Sequence, residues 1–331
     1  MKIIISKSYK ENRKPPENFQ KKDSKIFKHE FNRIIPKNYY FFSSKVLIFN
    51  EIIVNLKKFR IYKKYTFFGD KTFVQEIKRV VKNFTSSRGE VEHLQAGMWV
   101  TDHKSTTYFH WILDSLQRAI SVKDNNSKYP ILLSNRFHNL KYVVDFLETF
   151  SLKYIVLKED VIYKVNRLLI TSKTAPSGNY HKETIQLLKN EIANLRSSLS
   201  QDKAKSYENL FIVRKNNLHR SGIGLELLQP ILDKFNFKVI DFEELSVLEK
   251  INNLQYTKNL IGVFGSGLTN MIFMNKNSNV LEIRLENDSH NNAFYSLANI
   301  CGINYYYLFY KSKNMEFDLA QFEVILEKMT N

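Results

Sequence analysis

Residues 260–283 read LIGVFGSGLTNMIFMNKNSNVLEI, and the fold class follows from them. A short apolar strand, Leu260–Val263, runs into a tight turn holding Gly265 and Gly267. An apolar helical stretch, Leu268–Met274, follows at once, and a second strand, Asn279–Ile283, completes one step of an α/β sheet. Glycines in such a turn let backbone approach a ligand closely, and the helix start offers N–H groups and a partial positive charge. Phosphate is the usual guest there. Glu282 is expected at the carboxyl end of the second strand, where a nucleotide ribose can be hydrogen-bonded. Gly-x-Gly alone falls short of the dinucleotide fingerprint and of the P-loop, and many α/β proteins bind nothing at such a turn.

The alternation continues on both sides. Beyond a polar linker, Ser200–Glu208, strands are expected at Leu210–Val213, Phe237–Ile240 and Tyr305–Phe309. Helices are expected there at Gly224–Phe235, Ser246–Leu254, Ala293–Cys301 and Leu319–Met329. Before the linker, Glu92–Val100, Tyr129–Leu133, Tyr154–Val156 and Val165–Ser172 read as strands. Tyr108–Val122, Asn139–Phe150 and His181–Leu199 read as helices, giving a β-α-β-α-β parallel pattern. Lys45–Phe68 alternates and is rich in β-formers, as in a hairpin, and Phe73–Val81 reads as a short helix or strand edge. The expected organisation is an N-terminal extension and β-rich segment (1–90) packed on a first α/β lobe (91–200), a second α/β lobe (208–315) and a closing helix (316–331). Two such units in succession suit an enzyme with a cleft between lobes.

The 331 residues suffice for two cores, and 43% hydrophobic with 14% aromatic content excludes wholesale disorder. The single cysteine, Cys301, excludes an internal disulfide framework and suits a reducing compartment. No run approaches the ~18–20 apolar residues of a membrane span, and the opening MKIIISKSYKENRKPP is too short in apolar residues for a signal peptide. The expectation is a cytoplasmic protein, soluble or peripheral at the inner face of the plasma membrane. The formal charge of +17, from 50 Lys+Arg against 33 Asp+Glu, attracts phosphorylated substrates and anionic membrane surfaces. The lysines are scattered and carry no zinc-finger or RRM signature, so no nucleic-acid partner is expected. The eight histidines form no His-x-x-x-His pair, and the triplet Asp241-Phe242-Glu243 only faintly matches a metal-carrying Asp-x-Asp; no metal is expected.

Tyr108–Asp114 (YFHWILD), Phe211–Arg214 (FIVR), 235–245 and Gly262–Met274, in that order, resemble motifs of the family 61 glycosyltransferases. Tyr108-Phe109-His110-Trp111-Ile112-Leu113-Asp114 is similar to the family's YFHW-x-LD helix start. Phe211-Ile212-Val213-Arg214 is similar to its strand ending in arginine, with a second basic position at Arg220. FNFKVIDFEEL (235–245) resembles its GF-x-V strand, Gly262–Met274 its HGAGLTN-x-x-F loop, and residues 279–283 its VLEI strand. The similarity spans about residues 95–310 and departs at Phe264, where the family commonly has histidine, and at Ser266, where alanine is commoner. The resemblance is to the bacterial capsular and surface-polysaccharide type. It implies an α/β fold of two Rossmann-like lobes facing a cleft (GT-B type), no cofactor and no obligatory metal. It also implies a nucleotide-sugar donor, a UDP-sugar foremost, and a glycan or lipid-linked glycan acceptor.

Inverting transfer needs a base for the acceptor hydroxyl, a stabiliser for the departing diphosphate and a pocket that fixes the sugar. On the resemblance, Asp114 and His110, four apart on one helix, supply the base and the group that orients it, with Asp102 and His103 in reserve. Arg214 becomes the diphosphate clamp, assisted by Lys215 and Arg220, because a guanidinium grips two oxygens at once. Gly265, Ser266, Gly267, Leu268, Thr269 and Asn270 supply donors at the helix start, and Glu282 holds ribose. Each has a plainer reading: a surface salt bridge for Arg214, a turn cap for Asn270, a solvent-facing carboxylate for Glu282. The expected function is inverting transfer of a hexosyl or pentosyl group to a hydroxyl of a bacterial surface glycan (capsule, O-antigen or lipopolysaccharide). The alternatives are a non-catalytic polyanion-binding protein and another nucleotide- or cofactor-dependent α/β enzyme such as a methyltransferase.

Overall fold

Fifteen strands run through the described part of the chain: β1 (Lys2–Ser6), β2 (Tyr9–Asn12), β3 (Asn32–Ile35), β4 (Asn38–Phe49), β5 (Ile52–Asn55), β6 (Arg60–Ile61), β7 (Val91–Trp99), β8 (Ile131–Ser134), β9 (Tyr154–Leu157), β10 (Ile162–Thr171), β11 (Asn209–Val213), β12 (Lys238–Asp241), β13 (Asn259–Val263), β14 (Asn279–Leu285) and β15 (Asn304–Tyr310). The structure is a computed structural model and describes residues 1–58, 60–62, 65, 78, 82, 85, 90–173, 178–198, 207–213, 225–286, 288, 292–311 and 318–331. Nearly all of Phe73–Val81 and most of the expected linker lie outside the described residues. The chain divides into two compact units, Met1–Ser8 with Pro36–Thr174, and Tyr9–Ile35 with Ala175–Asn331.

The first unit is built on one mixed sheet of strand order β6-β5-β4-β10-β7-β8-β9, with β1 also paired to β4. β10, β7, β8 and β9 are mutually parallel, as the alternating pattern predicts. The β-rich segment is part of this sheet: β4 pairs antiparallel with β10, and β1 and β5 pair antiparallel with β4. The expected hairpin is present but begins at Asn38, well before Lys45. Its turn, Asn50-Glu51, has φ of 41° and 67°, the left-handed pair that matches the twist of a tight hairpin. Trp99, Leu132, Tyr163, Leu168 and Ile170 form the centre of the core. Gly97 in β7 is required by packing: a Cβ there would lie 2.6 Å from the Leu132 side chain.

The second unit has a wholly parallel five-stranded sheet of order β12-β11-β13-β14-β15. Helices Leu225–Lys234 and Leu319–Thr330 bury Leu228, Leu232, Phe322 and Leu326 against Phe211, Ile261, Leu281 and Leu308 of one face. Register is pinned at the amino ends by a row of asparagines. Asn259 donates to Asn209 (2.8 Å), Asn279 to Asn259 (2.7 Å) and Asn304 to Asn279 (3.0 Å), each across a register pair. Edge strand β15 is blunted by the segment between β2 and β3. Glu17 N–H donates to the Tyr305 carbonyl, while the Asn18 side chain bonds both N–H and C=O of Tyr307, imitating a neighbouring strand.

Candidate functional site

The strand order of the second unit locates its ligand crevice. Numbered along the chain from β11, the order is 2-1-3-4-5, so the direction of winding reverses between β11 and β13. In open α/β sheets ligands bind outside the carboxyl ends of strands at such a reversal. The segment after β13 is Phe264-Gly265-Ser266-Gly267, the glycine turn singled out from sequence. It leads into a 3-10 helix, Ser266–Phe273, in place of the expected helix over Leu268–Met274. Gly265 is extended, and its carbonyl accepts the Leu268 N–H at 3.1 Å. Gly267 lies flat against β11, where a Cβ would meet Ile212 at 3.2 Å. Part of the glycine requirement is therefore packing of the elbow on the neighbouring strand.

The six elbow residues do not share one environment. Gly265, Ser266 and Gly267 are half-buried, whereas Leu268, Thr269 and Asn270 are enclosed. Asn270 donates to the Gly267 carbonyl (2.8 Å), which fixes the turn. Glu282 departs from its expected place. β14 continues through Leu285, so Glu282 is mid-strand and 0% exposed, accepting a short hydrogen bond (2.5 Å) from the Tyr305 hydroxyl. The strand runs on because Arg284 finds buried partners in Asn292 (2.9 Å) and the Asp288 carbonyl (2.7 Å), and so does not end it. Arg214, Lys215 and Arg220 lie outside the described residues.

In the first unit the parallel strands β7 and β10 end side by side, Trp99 opposite Ile170. Asp102, three residues past β7, is 2% exposed and pairs with Lys173, two residues past β10, at 2.9 Å. Its Oδ1 also accepts the Lys104 N–H (2.9 Å). Burial alone would raise this carboxyl, but Arg118, the Lys173 ammonium and the Lys104 N–H reverse that and hold it down at about 2. The predicted helix over Tyr108–Val122 is not uniform. An α-turn, Tyr108–His110, passes into a π-helix, Trp111–Leu116, and returns to α at Gln117–Ile120. π-Turns are rare and concentrate at functional sites.

This helix is buried throughout its second part, polar residues included. Asp114 is 5% exposed, and Arg118, fully buried, donates to the Thr171 hydroxyl (2.9 Å) and carbonyl (3.2 Å). After burial, the leading charge on His110 is the Lys104 ammonium, and the carboxylate that opposes it is Asp102. His110 is the half-exposed member of the group. Burial, then the charges of Lys104, Lys173 and His103, push its imidazole down to about 4 against the opposing pull of Asp102. At neutral pH it is uncharged.

Residues 108–281 match the glycosyltransferase 61 family, slightly over half of the chain. The chain belongs to that family. Comparison with curated proteins returns no match. The family span contains both the π-helix and the glycine elbow, and membership makes sugar transfer from a donor to an acceptor the class of activity. At Phe264, where histidine is common in the family, the ring packs edge-on against Phe294 at 5.7 Å. That position therefore offers a glycosyltransferase 61 substrate no imidazole. Asp241, at the end of β12, accepts the Glu243 N–H (2.9 Å) in a local turn. Among the described residues no group of three His, Cys, Asp or Glu side chains is placed to hold a metal, and no helix is long and apolar enough to cross a membrane.

Lys173 and Arg118 escape the sequence reading, and Asp102 enters it only as a reserve. The available signal was positional: each of β7 and β10 is followed within three residues by a charged side chain, and the two strands pair in parallel.

Proposed function

We propose that this chain is a GT-B-type inverting glycosyltransferase that uses a nucleotide-sugar, a UDP-sugar foremost, and extends a bacterial surface glycan without a metal ion. The observation that carries the reading is the glycine elbow seated at the winding reversal of a parallel sheet, in a chain of the glycosyltransferase 61 family. Gly265, Ser266 and Gly267 would cradle the diphosphate, with Arg214 and Arg220 as its cationic partners. In the transfer the acceptor oxygen bonds to the anomeric carbon as the bond to the diphosphate oxygen breaks. The hydroxyl proton passes to the protein, and the leaving diphosphate keeps the electron pair.

His110 and Asp114 are the proposed catalytic pair. The half-exposed, neutral His110 takes the proton, the enclosed Asp114 holds the helix segment that presents it, and Asp102 stabilises the imidazolium that forms. The basic surface, +17 overall, suits a lipid-diphosphate-linked acceptor at an anionic membrane.

The test is thermal unfolding with a panel of nucleoside diphosphates, followed by assay of the matching nucleotide-sugars. A nucleoside diphosphate at ~100 times its Kd should add about 2.7 kcal/mol of stability. No stabilisation by any of them, with salt-sensitive binding to nucleic acid, would return the protein to the polyanion-binding class. A response to S-adenosylmethionine alone would make it a methyltransferase.

A further inference from the structure

A cavity in the Tyr9–Ile35/Ala175–Asn331 unit, lined by none of the elbow residues, has a chemistry of its own. It encloses about 390 Å³ at the carboxyl end of edge strand β15, within the ~300–1,000 Å³ range of small-molecule sites. Its origin lies in an aromatic stripe. Tyr305, Tyr307 and Phe309 alternate along β15 and therefore face the same side. Phe27 covers the first two, its ring 6.3 Å from Tyr305 and 4.8 Å from Tyr307. Phe309, tilted against Tyr307 at 4.9 Å, lines the cavity and stays half-exposed.

The rim around that ring is polar. Lys22 and Lys311 stand against three carboxylates, Asp23, Glu286 and Asp318, and Gln321 adds an amide. Two of the carboxylates also serve the fold: Asp23 accepts the Tyr307 hydroxyl, and Asp318 accepts the Gln321 N–H at 3.0 Å. Among the described residues, two ammonium groups against three carboxylates give the lining a net charge of −1, on a protein whose total is +17. A phosphate-bearing ligand is repelled by that balance, whereas a neutral ligand with many hydroxyls finds donors and acceptors on all sides. An aromatic face with convergent amide, carboxylate and ammonium groups matches the two faces of a pyranose, apolar C–H on one and hydroxyls on its rim.

We propose that the cavity bounded by Phe309, Gln321 and Lys311 is a binding site for a neutral mono- or disaccharide, separate from the nucleotide crevice at the elbow. Its use as an anchor for a growing glycan rests on the glycosyltransferase reading; the binding itself does not.

Saturation-transfer NMR on the full chain, with cellobiose, chitobiose, glucuronate and uridine as probes, tests it without turnover. Expected are transfer to at least one neutral disaccharide with millimolar affinity, weaker transfer to glucuronate, and none to uridine at this site. Phe309→Ala should weaken that affinity at least tenfold, while the thermal shift produced by UDP stays unchanged. Gln321→Ala, an exposed change that leaves the strand intact, should weaken it about threefold and guards against misfolding of the first variant. No transfer to any saccharide, transfer undiminished in both variants, or preferential uridine binding lost with Phe309 would each overturn the proposal. Loss of the UDP shift with saccharide binding intact would instead strike the nucleotide reading and leave this one standing.

Discussion

Among the described residues, Arg284 and Arg118 are fully buried, one in each unit, and they are held in different ways. Arg284, in the parallel sheet of the second unit, lies 3.9 Å from the Glu282 carboxylate, donates to Asn292 and the Asp288 carbonyl, and sits 5.4 Å from the centre of the Phe27 ring. Arg118, beneath the strand ends of the first unit, donates to the Thr171 hydroxyl and carbonyl, and its Nη1 is buried without an acceptor among the described residues. The orphaned Thr101 hydroxyl and Trp111 indole N–H belong to the same stretch, 101–118. Arg284 is bonded within its own sheet and the segment that follows it, as a scaffold residue is. Arg118 instead helps hold down the Asp102 carboxylate past the strand ends, where buried polar groups without an acceptor among the described residues gather for something other than the fold. On the proposed reading, the second unit would make its site from backbone, and the first from side chains.

That contrast predicts which substitutions remove chemistry and which remove binding. His110→Gln should lower kcat by about 10²–10⁴, with the Kd for UDP unchanged, because the elbow is untouched. Asp114→Asn should cost less. Steady-state rates with the cognate nucleotide-sugar decide it, and a larger loss in Asp114→Asn would transfer the base role to that carboxylate.

The difference in legibility has the same cause. The glycine turn could be read because its constraint is local: a strand, two glycines and a helix-former within a dozen residues. The strand alternation was readable for the same reason. The Asp102–Lys173 pair joins residues 71 apart, and only the parallel pairing of β7 with β10 brings them together. The asparagine row at 209, 259, 279 and 304 has no sequence period, since loop and helix lengths set its spacing. Residues 9–35 show little periodicity, because they pack by single contacts such as Asn18 on Tyr307 and Arg13 on Glu30 (2.7 Å). The misplacement of Glu282 came from treating a charged residue as a strand end when a buried arginine two residues later continues the strand.

Stability measurements sharpen the two-arginine comparison. Arg284→Met strands a carboxylate that is 0% exposed, and breaking such a buried pair costs about 3–5 kcal/mol. Arg118→Met loses two hydrogen bonds to neutral oxygens and one of the charges on Asp102, which keeps its Lys173 partner, and should cost about 1–3 kcal/mol. Urea unfolding of both variants tests the order; a reversed order would mean that Arg118 is the structural one.

A pH dependence follows from the imidazole of the first unit. The His110 imidazole, near 6.5 in an unfolded chain, is pushed down to about 4 in the fold. As pH falls below 6.5 the unfolded chain takes up a proton that the folded one refuses, so the contribution of neutral His110 is complete above about 6.5 and drains away toward 4. Asp102, held at about 2, keeps its charge over that window and loses its own contribution only below the ordinary carboxylate range. Melting temperature against pH should therefore decline from 6.5 to 4 less steeply in His110→Gln than in the parent, with the two curves parallel above 7. Curves that stay parallel down to pH 4 would show that the imidazole is not held in its neutral form by the fold. The first unit would then lose the proton acceptor that sets it apart from the backbone-built crevice of the second.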